Sequence, residues 1–150
     1  MIKKIKLFVF SVLLLCVSCD RPILDIHSFQ DNEWGIEDAI TFDIKVKDAS
    51  LKKELSLFFR NTLNYEFRNL FLLVEIYTES HMLETDTLEY AIADKYGRWL
   101  GSGLGETRDN YFLLDQSYSF PKTGDYRIVI KHGMRSDPLI GASKLGFKFK

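Results

Sequence analysis

With 150 residues and 20 Lys+Arg against 21 Asp+Glu, the chain has the length of one ordinary domain and a formal charge of −1, so it lacks the basic surplus of a nucleic-acid binder. Two Cys, three Pro and nine Gly are too few for a disulfide-stapled scaffold, a collagen-like repeat or a low-complexity linker. Twelve Phe and seven Tyr put the burden of the core on large aromatic and branched side chains.

The chain opens with Lys3, Lys4 and Lys6, then an eleven-residue apolar run from Leu7 to Val17, then Ser18-Cys19. That run has the length of the h-region of an export signal and falls short of the roughly 20 residues that span a bilayer. A Cys directly behind a small residue at the end of such a run resembles a bacterial lipoprotein signal. It predicts a signal peptide over residues 1–18 and acylation of Cys19. Cleavage before Cys16 would leave Leu15 in the small-residue position, which makes Cys19 the better acceptor. Cleavage nearby to give a secreted protein, or retention of the segment in a membrane, are the alternatives. Both cysteines lie in this leader, so no disulfide, metal or redox site is expected of them. Past the leader, 20 basic residues less Lys3, Lys4 and Lys6 leave 17 against 21 acidic ones, about −4. That balance argues against anionic lipid as well as nucleic acid. Two or three acyl chains would in any case make a second membrane-binding element unnecessary.

In chain order, Asp20 to Glu33 reads as a short tether that becomes an edge strand or extended segment and ends near Trp34. Ile40, Phe42, Ile44 and Val46 alternate with Thr41, Asp43, Lys45 and Lys47, the period-2 pattern of a strand with one dry face. After a break at Asp48-Ala49-Ser50, Leu55, Leu57 and Phe59 predict a second strand, ended by Arg60 and Asn61. Leu70 to Tyr77 is apolar on both faces at its start, which predicts a central strand. Thr85 to Ala93 is rich in β-favouring residues, and Asp94-Lys95-Tyr96-Gly97 then turns. Trp99 and Leu100 lead into a Gly101-Ser102-Gly103-Leu104-Gly105 loop, with at most one short helix, over Ser102 to Asp109. Tyr111 to Leu114 and Tyr118 to Phe120 are short strands separated by Asp115-Gln116-Ser117. Tyr126, Ile128 and Ile130 follow a turn at Lys122 to Asp125, Gly133 to Gly141 is a connection, and Leu145, Phe147 and Phe149 form a last strand. About seven to nine short strands without a helical repeat predict a single all-β domain over residues 19–150. An antiparallel β-sandwich is the architecture expected, with a barrel as runner-up.

Nothing in this pattern has the spacing of a catalytic constellation. The Gly101-x-Gly103-x-Gly105 loop lacks the dinucleotide fingerprint, the P-loop Lys and a following helix; it reads as a turn or bulge packed against Trp99. His27, His81 and His132 are too dispersed for a zinc site, and a hydrolase would need His132 or His81 to meet a Ser and an Asp in space. Asp86, Glu89, Asp94, Glu106 and Asp109 read as solvated strand faces and loops. No catalytic, cofactor-binding or metal residue is therefore nominated. The composition of a binding surface is best met by Trp99, Leu100, Gly101, Gly103 and Gly105 together with Arg135, an aromatic at the mouth of a flexible segment and a planar cation at a loop end. For Trp99 a buried corner of the sandwich competes with that reading. Arg60, Arg68 and Arg135 read first as internal ties between strands.

The same residues carry a family resemblance. Cys19, Trp34, Arg60-Asn61, Tyr65, Arg68-Asn69-Leu70, Asp86-Thr87-Leu88, Phe120, Gly124-x-Tyr126 and Met134-Arg135 contribute to it. Its most distinctive part is the block Ala93-Asp94-Lys95-Tyr96-Gly97-Arg98-Trp99-Leu100-Gly101-x-Gly103-x-Gly105. Together they resemble the gliding-motility lipoprotein GldH family of the Bacteroidota, over nearly all of the chain past Cys19. The resemblance implies a lipid-anchored cell-envelope protein of the outer membrane, facing the periplasm, associated with gliding motility or a broader envelope role. It implies no enzymatic activity, catalytic residue or cofactor. Its partners would be the membrane, through the lipid, and another envelope protein for which it serves as adaptor or scaffold. A glycan- or peptidoglycan-binding module is the alternative, with Trp99 as the stacking ring.

Overall fold

The computed structural model describes residues 23–150, with Ile23 and Leu24 described by backbone alone. The signal peptide expected over 1–18, and Cys19, lie outside these residues. Ten strands form: β1 (Ile23–Ser28), β2 (Glu33–Trp34), β3 (Ile40–Val46), β4 (Lys53–Thr62), β5 (Asn69–Thr78), β6 (Met82–Ala91), β7 (Thr107–Tyr118), β8 (Gly124–His132), β9 (Leu139–Ile140) and β10 (Ala142–Phe149). Two four-stranded sheets have the orders β1-β10-β4-β7 and β3-β8-β5-β6, and the short β2 and β9 pair with each other. Every pairing is antiparallel. No ladder joins β6 to β7 or β1 to β3, so the fold is a sandwich and not a closed barrel.

The alternation in the sequence becomes the core. Ile40, Phe42, Ile44 and Val46 of β3 point inward between exposed polar neighbours. Opposite them stand Leu55, Leu57 and Phe59 of β4 and Leu145, Phe147 and Phe149 of β10, all buried. Phe42 and Phe147 stack across the gap between the sheets, with ring centroids 5.9 Å apart. β5 lies between β8 and β6, and Phe71 and Leu73 on its second face are half-buried, as its two apolar faces require. One outward side chain is also buried: Phe58, 6% exposed. It lies opposite Gly146 on one side and Tyr111 on the other, and the missing side chain of Gly146 leaves room for its ring.

Three sequence expectations are corrected here. β4 continues through Arg60 and Asn61 to Thr62. β7 is one twelve-residue strand where two short ones were expected. It continues through Asp115-Gln116-Ser117 because its register against β4 shifts between Lys53 and Leu55 and again between Leu55 and Ser56. Those bulges absorb extra residues that break the period-2 pattern. Finally, Ser102 to Asp109 holds no helix: Ser102 and Asp109 bridge antiparallel, and β7 begins at Thr107.

The sandwich has two poles. At one, β1 begins, β10 ends, and the turns 47–52, 79–81 and 119–123 connect strands. At the other lie the 29–39 segment, the 63–68 turn, the β6-to-β7 crossover and the β8-to-β10 connection. β4 runs from one to the other, and ten residues of strand span about 30 Å.

Candidate functional site

The β6-to-β7 crossover, at the pole away from β1's start, is held in one conformation by its own polar groups. Asp94 Oδ1 accepts the amides of Tyr96 (2.8 Å) and Arg98 (3.0 Å), and Oδ2 accepts Arg98 Nε at 2.7 Å. These bonds, the Arg98 amide foremost, hold the Asp94 carboxyl below its usual range. The chain then folds back: Ala93 bridges Trp99, and the Leu100 amide donates to the Ile92 carbonyl at 2.9 Å. Trp99 is half-buried and packs against the edge of the core, between the two readings its sequence context allowed.

The glycines have a steric account. A Cβ at Gly101 would lie 2.6 Å from Asn110 Oδ1 and 2.9 Å from the Asp109 carbonyl, and one at Gly103 would overlap the Thr107 carbonyl. Gly105 has φ +71°, a backbone that favours glycine. The loop is thus glycine-rich because its backbone lies directly on the start of β7. That base is itself pinned. Arg60 clasps Asp109 through Nε (2.6 Å) and Nη2 (2.7 Å), and this keeps the Asp109 carboxyl below its ordinary value. Beside it, buried Asn110 Nδ2 donates to the Phe59 carbonyl (3.0 Å) and to Asn61 Oδ1 (2.9 Å).

What this frame presents is apolar and cationic. Leu104 is 97% exposed, Tyr96 73% and Leu100 59%. Lys95 Nζ and Arg98 Cζ lie 5.0 and 5.5 Å from the Tyr96 ring centroid, within cation–π range. Of the residues singled out from sequence, Leu100 is on this surface, while Gly101, Gly103 and Gly105 shape the loop beneath it. Arg135 is exposed at the same pole, on the β8-to-β9 connection, and makes no hydrogen bond or ion pair among the described residues. Among the three arginines expected to tie strands together, Arg60 does so; Arg68 and Arg135 are exposed. Tyr96 and Leu104 were not foreseen. The available signal was two large apolar side chains set in turns that cannot bury them.

The histidines do not assemble a reaction centre. His81 Nδ1 lies 2.9 Å from Ser80 Oγ in the exposed β5–β6 hairpin, with no carboxylate among its hydrogen-bond partners. His132 is 3% exposed beneath the far pole and packs edge-on to Trp34 at 5.2 Å. Its Nδ1 accepts the Met134 amide at 3.3 Å, which leaves the ring proton on Nε2, a buried atom without a partner. Burial pushes its pKa down, and the nearby Trp34 and Gly35 carbonyls and Asp137 and Asp38 carboxylates only partly offset this. No group of three His, Cys, Asp or Glu side chains among the described residues is placed to hold a metal ion.

The described residues thus form an antiparallel β-sandwich whose β6-to-β7 crossover holds Tyr96, Leu100 and Leu104 in solvent. The model of the family described as GldH lipoprotein matches residues 23–149, and the chain belongs to that family. It is 27% identical over 96% of its length to a gliding motility lipoprotein GldH homolog of Christiangramia forsetii, of which 93% is covered. It is 30% identical over 91% of its length to the gliding motility lipoprotein GldH of Flavobacterium johnsoniae, of which 90% is covered. A solved family GH115 4-O-methyl-α-glucuronidase aligns at a TM-score of 0.42 and 13% identity, over 79% of this chain and 14% of that one, a likeness too low to carry an argument.

Proposed function

We propose that this chain is exported, acylated on Cys19 and held at the outer membrane on its periplasmic face. There it acts as a non-enzymatic adaptor that binds another envelope protein, in gliding motility or a related envelope process. Support for the anchor comes from the leader itself and from membership in a family of lipoproteins. Support for the process comes from two relatives that carry gliding motility in their names.

The observation that carries the adaptor reading is the crossover at the pole away from β1's start. It exposes Leu104, Tyr96 and Leu100 on a backbone held by Asp94, Asn110 and the Arg60–Asp109 pair. Exposed apolar side chains beside cations on a hydrogen-bonded backbone suit a protein partner, because the backbone has little freedom left to lose on binding. The Tyr96 ring already has two cations close to it, which weighs against its use as a sugar-stacking platform. In-cell crosslinking with the pair Leu104→Ser and Leu100→Ser is the test. Both side chains are more than half exposed, so the fold is retained, and the adaptor reading expects a crosslinked partner to be lost. An unchanged set of crosslinks would remove this loop from the function. Mass spectrometry of the mature amino terminus tests acylation of Cys19 separately.

A further inference from the structure

The overall charge of about −4 past the leader hides two poles of opposite sign. Where β1 begins, the end turns and strand ends 46–54, 79–81, 118–124 and 148–150 hold Lys47, Lys52, Lys53, Lys122, Lys148 and Lys150 against Asp48, Glu54 and Glu79, a side-chain charge of about +3. At the other pole, 29–39, 62–68, 92–106 and 133–141 hold eight acidic against four basic side chains, about −4. Lys47, Lys52, Lys122 and Lys150 are exposed. Lys53 lies over the Phe149 ring, 5.5 Å from Nζ to the centroid. Leu51, in the turn between β3 and β4 and next to Lys52, is 54% exposed.

The covalent chain says what this pole faces. Only Asp20, Arg21 and Pro22 separate Cys19 from Ile23, the first residue of β1. Four Cα steps reach about 14 Å at full extension, close to the ~10 Å screening length at 0.1 M salt. We infer that the lysine-rich pole is a second membrane-binding element: it docks on anionic phospholipid headgroups of the leaflet that holds the acyl chains, with Leu51 at the headgroup boundary. The inference rests on the proposed anchor at Cys19. It also deepens that proposal, because a pole seated on the lipid turns the Asp94–Gly105 crossover away from the membrane by the length of the sandwich. Basic side chains beside an acyl anchor are a recognised second signal for membrane attachment.

The test separates the surface from the anchor. Among the described residues, every buried core side chain lies within residues 29–149, and an unacylated chain beginning at Asp20 keeps all of them. Its co-sedimentation is measured with phosphatidylcholine vesicles containing 30% phosphatidylglycerol and with pure phosphatidylcholine vesicles. Binding is expected to the anionic vesicles, to weaken as salt rises, and to fall about fivefold for each lysine neutralised in the series Lys47→Gln, Lys52→Gln, Lys122→Gln and Lys150→Gln. Lys95→Gln, at the opposite pole, should leave it unchanged. Equal sedimentation with both vesicle types, or salt-independent binding of the parent chain, overturns the inference whether or not the variants fold. Mass spectrometry of the native protein reports on Cys19 independently: an acylated terminus with no anionic preference sinks the docking surface alone.

Discussion

At the scale of single residues, the polar side chains that matter most are those that lost contact with water. His132 is the clearest case, since burial pushes its pKa down while the unfolded chain binds a proton near the ordinary value of about 6.5. The unfolded state therefore carries more protons below that pH, and stability falls as pH drops from about 7 toward 5. Thermal melts across this range should show a declining midpoint, and His132→Gln should flatten the decline whatever its own stability. A slope that survives the substitution would assign the effect elsewhere. Asp109 acts in a lower window with a related sign: its carboxyl is held below the usual 3.8 by Arg60, so its contribution is present above that pH and is lost on further acidification.

At the scale of elements, the crossover from β6 to β7 shows how a glycine-rich stretch becomes rigid. Its glycines let backbone lie on backbone, and Asp94 closes the preceding turn with three hydrogen bonds. Gly101→Ala should therefore cost about 1–3 kcal/mol, the usual range for forcing an extra methyl into packed surroundings, with the loss read by urea unfolding. A neutral outcome would mean that the loop lifts freely from Asn110, and the case for a preformed surface would weaken. β7 makes a related point, because bulges opposite Lys53–Ser56 let one strand run through residues that look like a turn.

For the whole molecule, stability rests on the two inner faces, and Phe147 joins them by stacking on Phe42 while fully enclosed. Phe147→Ala should destabilise by about 3–5 kcal/mol, as large-to-small core changes of aromatics do, measured by denaturant unfolding with the m-value unchanged. A loss below about 1 kcal/mol would mean that the sheets close over the gap. The same architecture separates two surfaces: one pole carries the start of β1 and six of the ten lysines among the described residues, and the other carries the exposed crossover.

The amino-acid order by itself determined the all-β class, the main strands and the central place of β5, because period-2 burial and turn residues are local signals; the family was legible separately, from the resemblance of particular residues to the GldH lipoproteins. It also marked the Asp94–Gly105 block as distinctive. What it left undecided was tertiary. That Arg60 ends on Asp109 depends on a partner about fifty residues away in the chain, and whether Trp99 is packed and which large side chains of the loop stay in solvent depend on how the crossover folds back on Ala93 and the start of β7. The bulges of β7 mimic a break, so two strands were expected where one exists. Charge was the largest quantity hidden from composition: a chain slightly acidic on average separates its lysines from its carboxylates only once the strands bring distant turns to the same end.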